Sequence, residues 1–218
     1  MSGYFQIANG CIKICGVTSA EDALGVARAG ASAIGFNLWP GSSRYVSLAR
    51  AVELAKPIRD ELFVVAVGVD LGSHEIEMIR KYLSPNAIQV HQAAGMNLVE
   101  GDDVYYGVGL GDEADCDAAL RSPGTTVLVD AKDDVLRGGT GRRAPLDLMR
   151  AVCAARPTLV AGGLNSTNVG SVIHNCMPWG VDVASGVENR PGEKSFSMMC
   201  RFVESARTAF NKQEKENV

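Results

Sequence analysis

The chain has 218 residues, of which 46% are apolar and 21% charged, with a formal net charge of −4. That length suits one domain with a large core, and the mildly acidic balance offers no basic surface for nucleic acid. Six cysteines without a C-x-x-C pair exclude a zinc knuckle or redox couple, no basic apolar leader is evident, and no stretch approaches 18 unbroken apolar residues, so a cytoplasmic protein without a membrane span is expected.

Taken in order, residues 12–15, IKIC, form a short apolar run that contains Lys13 and closes at Gly16. Thr18 or Ser19 caps the helix that follows, with Glu21 and Asp22 in its first turn and Gly30 as its stop. Residues 33–37 read as a second strand, 38–46 as a loop with Pro40, Gly41 and Arg44, and Ser47 opens a helix to about residue 58. FVVAVGV at 63–69 is almost continuously apolar, as expected of a parallel strand buried on both faces. A helix at 74–82 leads to strand 87–90, which ends at His91. The fifth unit is the weakest, with strand 104–108 and helix 112–120. Strand 126–129 ends at Asp130, and a loop over 131–145 with Gly138, Gly139 and Gly141 precedes helix 147–155. Strand 158–161 ends in Gly162–Gly163, strand 180–183 leads to Ser185–Gly186, and each turn is expected to run into a helical segment. A last helix over 195–210 leaves 211–218 as a charged tail expected to fray.

Strands alternating with helices imply a parallel sheet. Small residues at the ends of the last two strands let backbone N–H groups approach an anion, and paired turns of this kind clamp a phosphate after strands seven and eight of (β/α)₈ barrels. The expectation is therefore a single α/β domain over 1–210, an eight-stranded parallel TIM barrel, with no internal boundary. The absence of G-x-G-x-x-G after the first strand weakens an open dinucleotide-binding sheet.

A barrel's active site lies at the C-terminal ends of its strands, which selects Cys15, Arg44, Asp70, His91, Asp130 and the two turns. Cys15 is either a base or nucleophile activated by nearby cations, or a buried core thiol. Lys13 shares its face only if the strand is regular. Asp130 ends a buried apolar run, where a carboxylate without a role is costly. Arg44 presents a planar fork that matches a carboxylate, although a solvated loop arginine is the commoner case. His91 reads as a base or a hydrogen-bonded wall, and Gly138, Gly139 and Thr140 as a lid or a plain turn. Glu188 closes the second clamp turn, where it satisfies backbone N–H groups. No metal-binding signature is present, so no metal is expected.

The ordered set IKICGVT (12–18), GFNL…SSRYV (35–46), IQVH (88–91), VLVD (127–130), GGTG (138–141), AGGLN (161–165) and DVASGVE…PGEK (182–194) resembles the phosphoribosylanthranilate isomerase family of tryptophan biosynthesis. The resemblance implies a cofactor-free aldose–ketose isomerase acting on a small phosphorylated arylamine sugar. It implies Cys15 as general base, Asp130 as general acid, Arg44 as the holder of the anthranilate carboxylate, and Gly162, Gly163, Ser185 and Gly186 as the phosphate turns. It leaves the oligomeric state open. The sequence departs from the family pattern at Asp70, at Gln92, in strand five, at Ala144–Pro145 and at Ser195, which keeps two alternatives: a paralogue acting on a related N-phosphoribosyl arylamine, and a catalytically silent phosphate-binding barrel. Cys15 at the end of strand one argues against the metal-dependent epimerases and the histidine-pathway isomerase.

Overall fold

Period-two alternation sorts each strand's side chains between two cores. In β1 (Cys11–Cys15), Ile12 and Ile14 pack outward, while Cys11, Lys13 and Cys15 face the barrel interior. The computed structural model describes residues 10–91, 99, 101–131 and 145–216. Within them β1, β2 (Ala33–Asn37), β3 (Phe63–Val69), β4 (Ala87–His91), β5 (Val104–Leu110), β6 (Val127–Ala131), β7 (Thr158–Ala161) and β8 (Gly180–Val183) pair in parallel, in sequence order, and close as a barrel. The expected barrel is thus present, and its weakest expected strand, β5, is a regular strand of 7 residues.

Helices α1 (Ala20–Ala29), α2 (Leu48–Ala55), α3 (Ser73–Tyr82), α4 (Glu113–Arg121), α5 (Pro145–Ala155), α6 (Val169–Cys176) and α7 (Phe196–Glu216) surround the strands. Ser19, not Thr18, caps α1 by accepting from Asp22 N–H at 3.0 Å, and Gly30 ends it at φ 80°, a left-handed conformation that glycine adopts without penalty. Met199, Phe202, Val203, Ala206 and Phe210 of α7 recur at helical spacing and are buried against the barrel. Each such large side chain contributes about 1.5–3 kcal/mol by leaving water. Helix α7 runs on to Glu216, so most of the tail expected to fray continues that helix. Among the described residues no helix is long and apolar enough to cross a membrane.

A helical segment follows each clamp turn, as expected, but the connection differs: after β7 the chain makes a loop and reaches α6 only at Val169, and after β8 the segment is a single 3₁₀ turn, Ser185–Val187. An antiparallel pair, β9 (Glu188–Arg190) and β10 (Glu193–Lys194), then intervenes before α7. Neither clamp turn runs straight into an α-helix, so backbone N–H groups of the turns, rather than helix dipoles, are the elements on offer to an anion.

Candidate active site

The C-terminal ends of the strands open into one cavity of about 330 Å³. Cys15 after β1, Arg44 from the loop after β2, His91 from β4, Asp130 from β6, Gly162 and Gly163 after β7, and Ser185 after β8 all line it. Residues separated by up to 170 positions (15 to 185) therefore meet at one mouth. Gly186 stands directly behind: a side chain there would overlap the Leu164 carbonyl of the β7 loop, so the two turns touch only because residue 186 is glycine. Gly162 (φ 94°) and Gly163 (φ 59°) are both left-handed, which reverses the chain at the end of β7. Gly138, Gly139 and Thr140 lie outside the described residues. Asp70 does not line the cavity; it turns the chain after β3 at φ 51°, with its N–H donating to the His91 carbonyl at 2.9 Å. A larger groove of about 700 Å³ lies on the outer face between α6 and α7, away from the strand ends and from this set of groups.

Arg44 is held rather than solvated. Its Nε and Nη2 donate to the two oxygens of Glu188 at 2.9 and 2.7 Å, a two-pronged pair. Its stem crosses Gly16, whose φ of 74° and missing side chain leave the room. Nη1 has no hydrogen-bond partner among the described residues. Glu188 does more than the backbone role expected of it. It accepts from Gly192 N–H at 3.3 Å, but also from Arg44 and from Lys194 Nζ at 2.8 Å. Burial opposes the Glu188 charge, and the hydrogen bonds from Arg44 and Lys194 overcome it, holding the carboxyl below its usual range. Lys194, fully buried, uses its other donors on the Cys15 carbonyl (2.6 Å) and the Ala184 carbonyl (3.0 Å), tying the ends of β1 and β8 together.

His91 is engaged at the nitrogen that faces Gln89. The Tyr105 hydroxyl donates to Gln89 Oε1 at 2.9 Å, which makes the amide nitrogen the donor to His91 Nε2 at 2.7 Å. The ring proton then sits on Nδ1. Burial, aided by the Lys13 charge, lowers the His91 pKa and favours this neutral form. Gly107 on β5 makes space for the ring, since a side chain there would overlap the imidazole.

Below the mouth, Lys13 faces inward and is 0% exposed, with Nζ 2.9 Å from Asp182 Oδ1. The two are register partners on β1 and β8. Burial raises the Cys15 pKa above the ordinary thiol value; the Lys13 charge lowers it, Asp182 raises it and Lys194 lowers it, and the net result is a thiol in the free protein.

Residues 12–205 match the family model described as N-(5'phosphoribosyl)anthranilate (PRA) isomerase. The chain belongs to this family. The N-(5'-phosphoribosyl)anthranilate isomerase of Bordetella petrii is 35% identical, with 91% of this chain and 95% of that protein covered. The crystal structure of phosphoribosyl anthranilate isomerase from Thermotoga maritima superposes with a TM-score of 0.77 at 32% identity, covering 91% of this chain and 98% of that one. A phosphoribosyl anthranilate isomerase in complex with reduced 1-(o-carboxyphenylamino)-1-deoxyribulose 5-phosphate superposes with a TM-score of 0.74 at 31% identity, with 91% and 98% covered.

Within this family barrel, the residues that sequence reading left without a role are Gln89, Tyr105, Asp182 and Lys194. Lys13 and Asp182 carried one legible sign: each is a charged residue inside an otherwise apolar strand, IKIC and GVDV. Lys194 stood out only as the end of the PGEK motif, without a role, because its three acceptors come from positions 15, 184 and 188, which only the folded chain gathers.

Proposed function

We propose that this isomerase of tryptophan biosynthesis carries out the Amadori rearrangement of N-(5-phosphoribosyl)anthranilate to 1-(2-carboxyphenylamino)-1-deoxyribulose 5-phosphate. One observation carries the reading: a thiol, a carboxyl, an arginine fork and residues of the two small-residue turns, the groups this chemistry needs, line one cavity at the strand ends. The turns Gly162–Gly163 and Ser185–Gly186 take the phosphate through backbone N–H groups, and Arg44 takes the aryl carboxylate. Asp130, as the carboxylic acid, protonates the furanose ring oxygen. The C1–O bond opens, and the aryl nitrogen lone pair gives an iminium ion. Cys15, its thiol proton released to solvent as the iminium charge forms beside it, then removes the C2 proton as the thiolate, and the C–H electrons flow to the iminium nitrogen to form an enolamine. Protonation at C1 with loss of the O2 proton gives the ketone, with no change in overall composition. The aryl nitrogen itself takes up the electron density, so no organic cofactor or metal is invoked. In enzyme classes this is an intramolecular oxidoreduction, an aldose–ketose isomerisation.

The test is single-turnover consumption of the fluorescent anthranilate adduct by Cys15→Ser and Asp130→Asn. Each is expected to lower turnover by about 10² or more while product-analogue binding stays near normal. Near-full turnover in Cys15→Ser removes Cys15 as the base, and joint loss of rate and binding in both variants removes the mechanism.

A further inference from the structure

We propose that Lys13, clamped by Asp182, is the fixed counter-cation of the Cys15 thiolate: a positioning residue that stabilises the base from beneath the cavity. The proposal rests on the reading of Cys15 as base and adds the group that makes a thiolate tenable there.

Three observations carry it. Lys13 and Cys15 are two residues apart on one face of a regular strand, so their side chains are successive layers of the same barrel interior. Gly35, the register partner of Cys15 on β2, leaves a gap that both side chains enter: a Cβ there would stand 2.7 Å from Cys15 Sγ and 3.2 Å from Lys13 Cε. Asp182, the register partner of Lys13 on β8, lines the same cavity and fixes the ammonium at 2.9 Å.

His91 from β4, kept neutral by burial and the Lys13 charge, and Asp130 from β6 line the same cavity, and Cys11 on β1 is held as a thiol by burial. Lys194, from β10, spends its ammonium on two carbonyls and Glu188, and Arg44, from the loop after β2, spends two prongs on Glu188. Tyr105, from β5, is fully buried and held protonated by burial. Of these three described cations Lys13 has the fewest acceptors, Asp182 Oδ1 alone, and its Cε and the Cys15 Sγ border the same gap at Gly35. Burial works against the Lys13 charge, and Asp182 with smaller help from Cys15 and Tyr105 more than reverses it, so the ammonium persists through the cycle. When the thiolate takes the C2 proton, the new S–H replaces an ion pair and Lys13 keeps its own protons. A purely structural filling of this layer needs no charge, since burying an ion pair gives little or no net stability over apolar packing.

The experiment follows Cys15 alkylation by iodoacetamide against pH, read by mass spectrometry of the Cys15 peptide, beside the pH profile of kcat/KM. Lys13→Met is expected to move the alkylation midpoint up by about one pH unit or more and to lower kcat/KM at neutral pH about tenfold or more, whereas Asp182→Asn moves the midpoint down. Opposite displacements are something a packing defect does not produce. Unmoved midpoints in folded variants overturn the proposal. If the midpoints move and the kcat/KM profile does not follow them, Lys13 stands as the thiolate's partner and Cys15 fails as the base. If the single variants do not fold, the pair is removed together as Lys13→Met with Asp182→Leu, which is expected to raise the midpoint. The native protein carries the same test: the ¹⁵Nζ resonance of Lys13 should show a titration step that disappears in Cys15→Ser, and a Lys13 resonance indifferent to Cys15 overturns the proposal.

Discussion

Replacing Glu188 with glutamine tests how the carboxylate subsite is held. The shape is kept, but one oxygen becomes an NH₂. Three donors, Arg44 Nε, Lys194 Nζ and Gly192 N–H, converge on Oε1, and only Arg44 Nη2 reaches Oε2. The amide therefore places its oxygen at the Oε1 position and its NH₂ against Arg44 Nη2, where two donors meet. Arg44 loses one charge-assisted bond, on the order of 1.5–3 kcal/mol, a figure to be read at its lower end because Arg44 is 23% exposed. Lys194 loses its counter-charge in a site where the two side chains are 0% and 3% exposed. Leaving a buried charge unpaired costs about 3–5 kcal/mol, which for a chain of this size lowers Tm by roughly 6–20 °C. Burial already lowers the Lys194 pKa against the help of Glu188, and without Glu188 it falls further. Between that lowered value and the unfolded lysine value, the unfolded chain binds more protons than the folded one, so stability rises with pH in that window. The Tm deficit of Glu188→Gln should thus be largest at neutral pH and shrink on the alkaline side, while kcat/KM for the anthranilate substrate falls about 10-fold or more. Calorimetry across pH with steady-state kinetics measures both. A deficit that is flat with pH, or an unchanged kcat/KM in a folded variant, refutes the reasoning.

Arg44→Ala should lose discrimination between anthranilate and plain aniline adducts, by about 1.5–3 kcal/mol of transition-state binding; equal effects on both adducts remove Arg44 from the carboxylate site. Gly186→Ala forces a methyl into the Leu164 carbonyl and should separate the two turns, so inorganic phosphate and phosphorylated ligands bind more weakly while the aryl discrimination of Arg44 persists, as titration calorimetry would show. His91, neutral when folded, binds a proton more readily when unfolded; stability should therefore decline as pH falls from about 6.5 toward the lowered folded value, and His91→Gln should flatten that decline in chemical denaturation.

The alternation of eight apolar runs with amphipathic segments was enough, from sequence, for the closed parallel barrel, because period-two and helical repeats are local properties of the chain. Strand ends are legible for the same reason, and the barrel rule makes Cys15, His91, Asp130 and the two small-residue turns neighbours from sequence alone. Tertiary structure alone decided how these groups are held. The 3₁₀ turn and the β9–β10 pair stand between β8 and the last helix, and they carry Glu188 and Lys194 to Arg44 and to the ends of β1 and β8. The inward set of Lys13 depends on a partner 169 positions away in the chain, and the Tyr105–Gln89–His91 chain depends on the β4–β5 register. Buried polar groups are stable only when their hydrogen bonds are met, and in a barrel those partners come from other strands, which no local pattern of residues can specify.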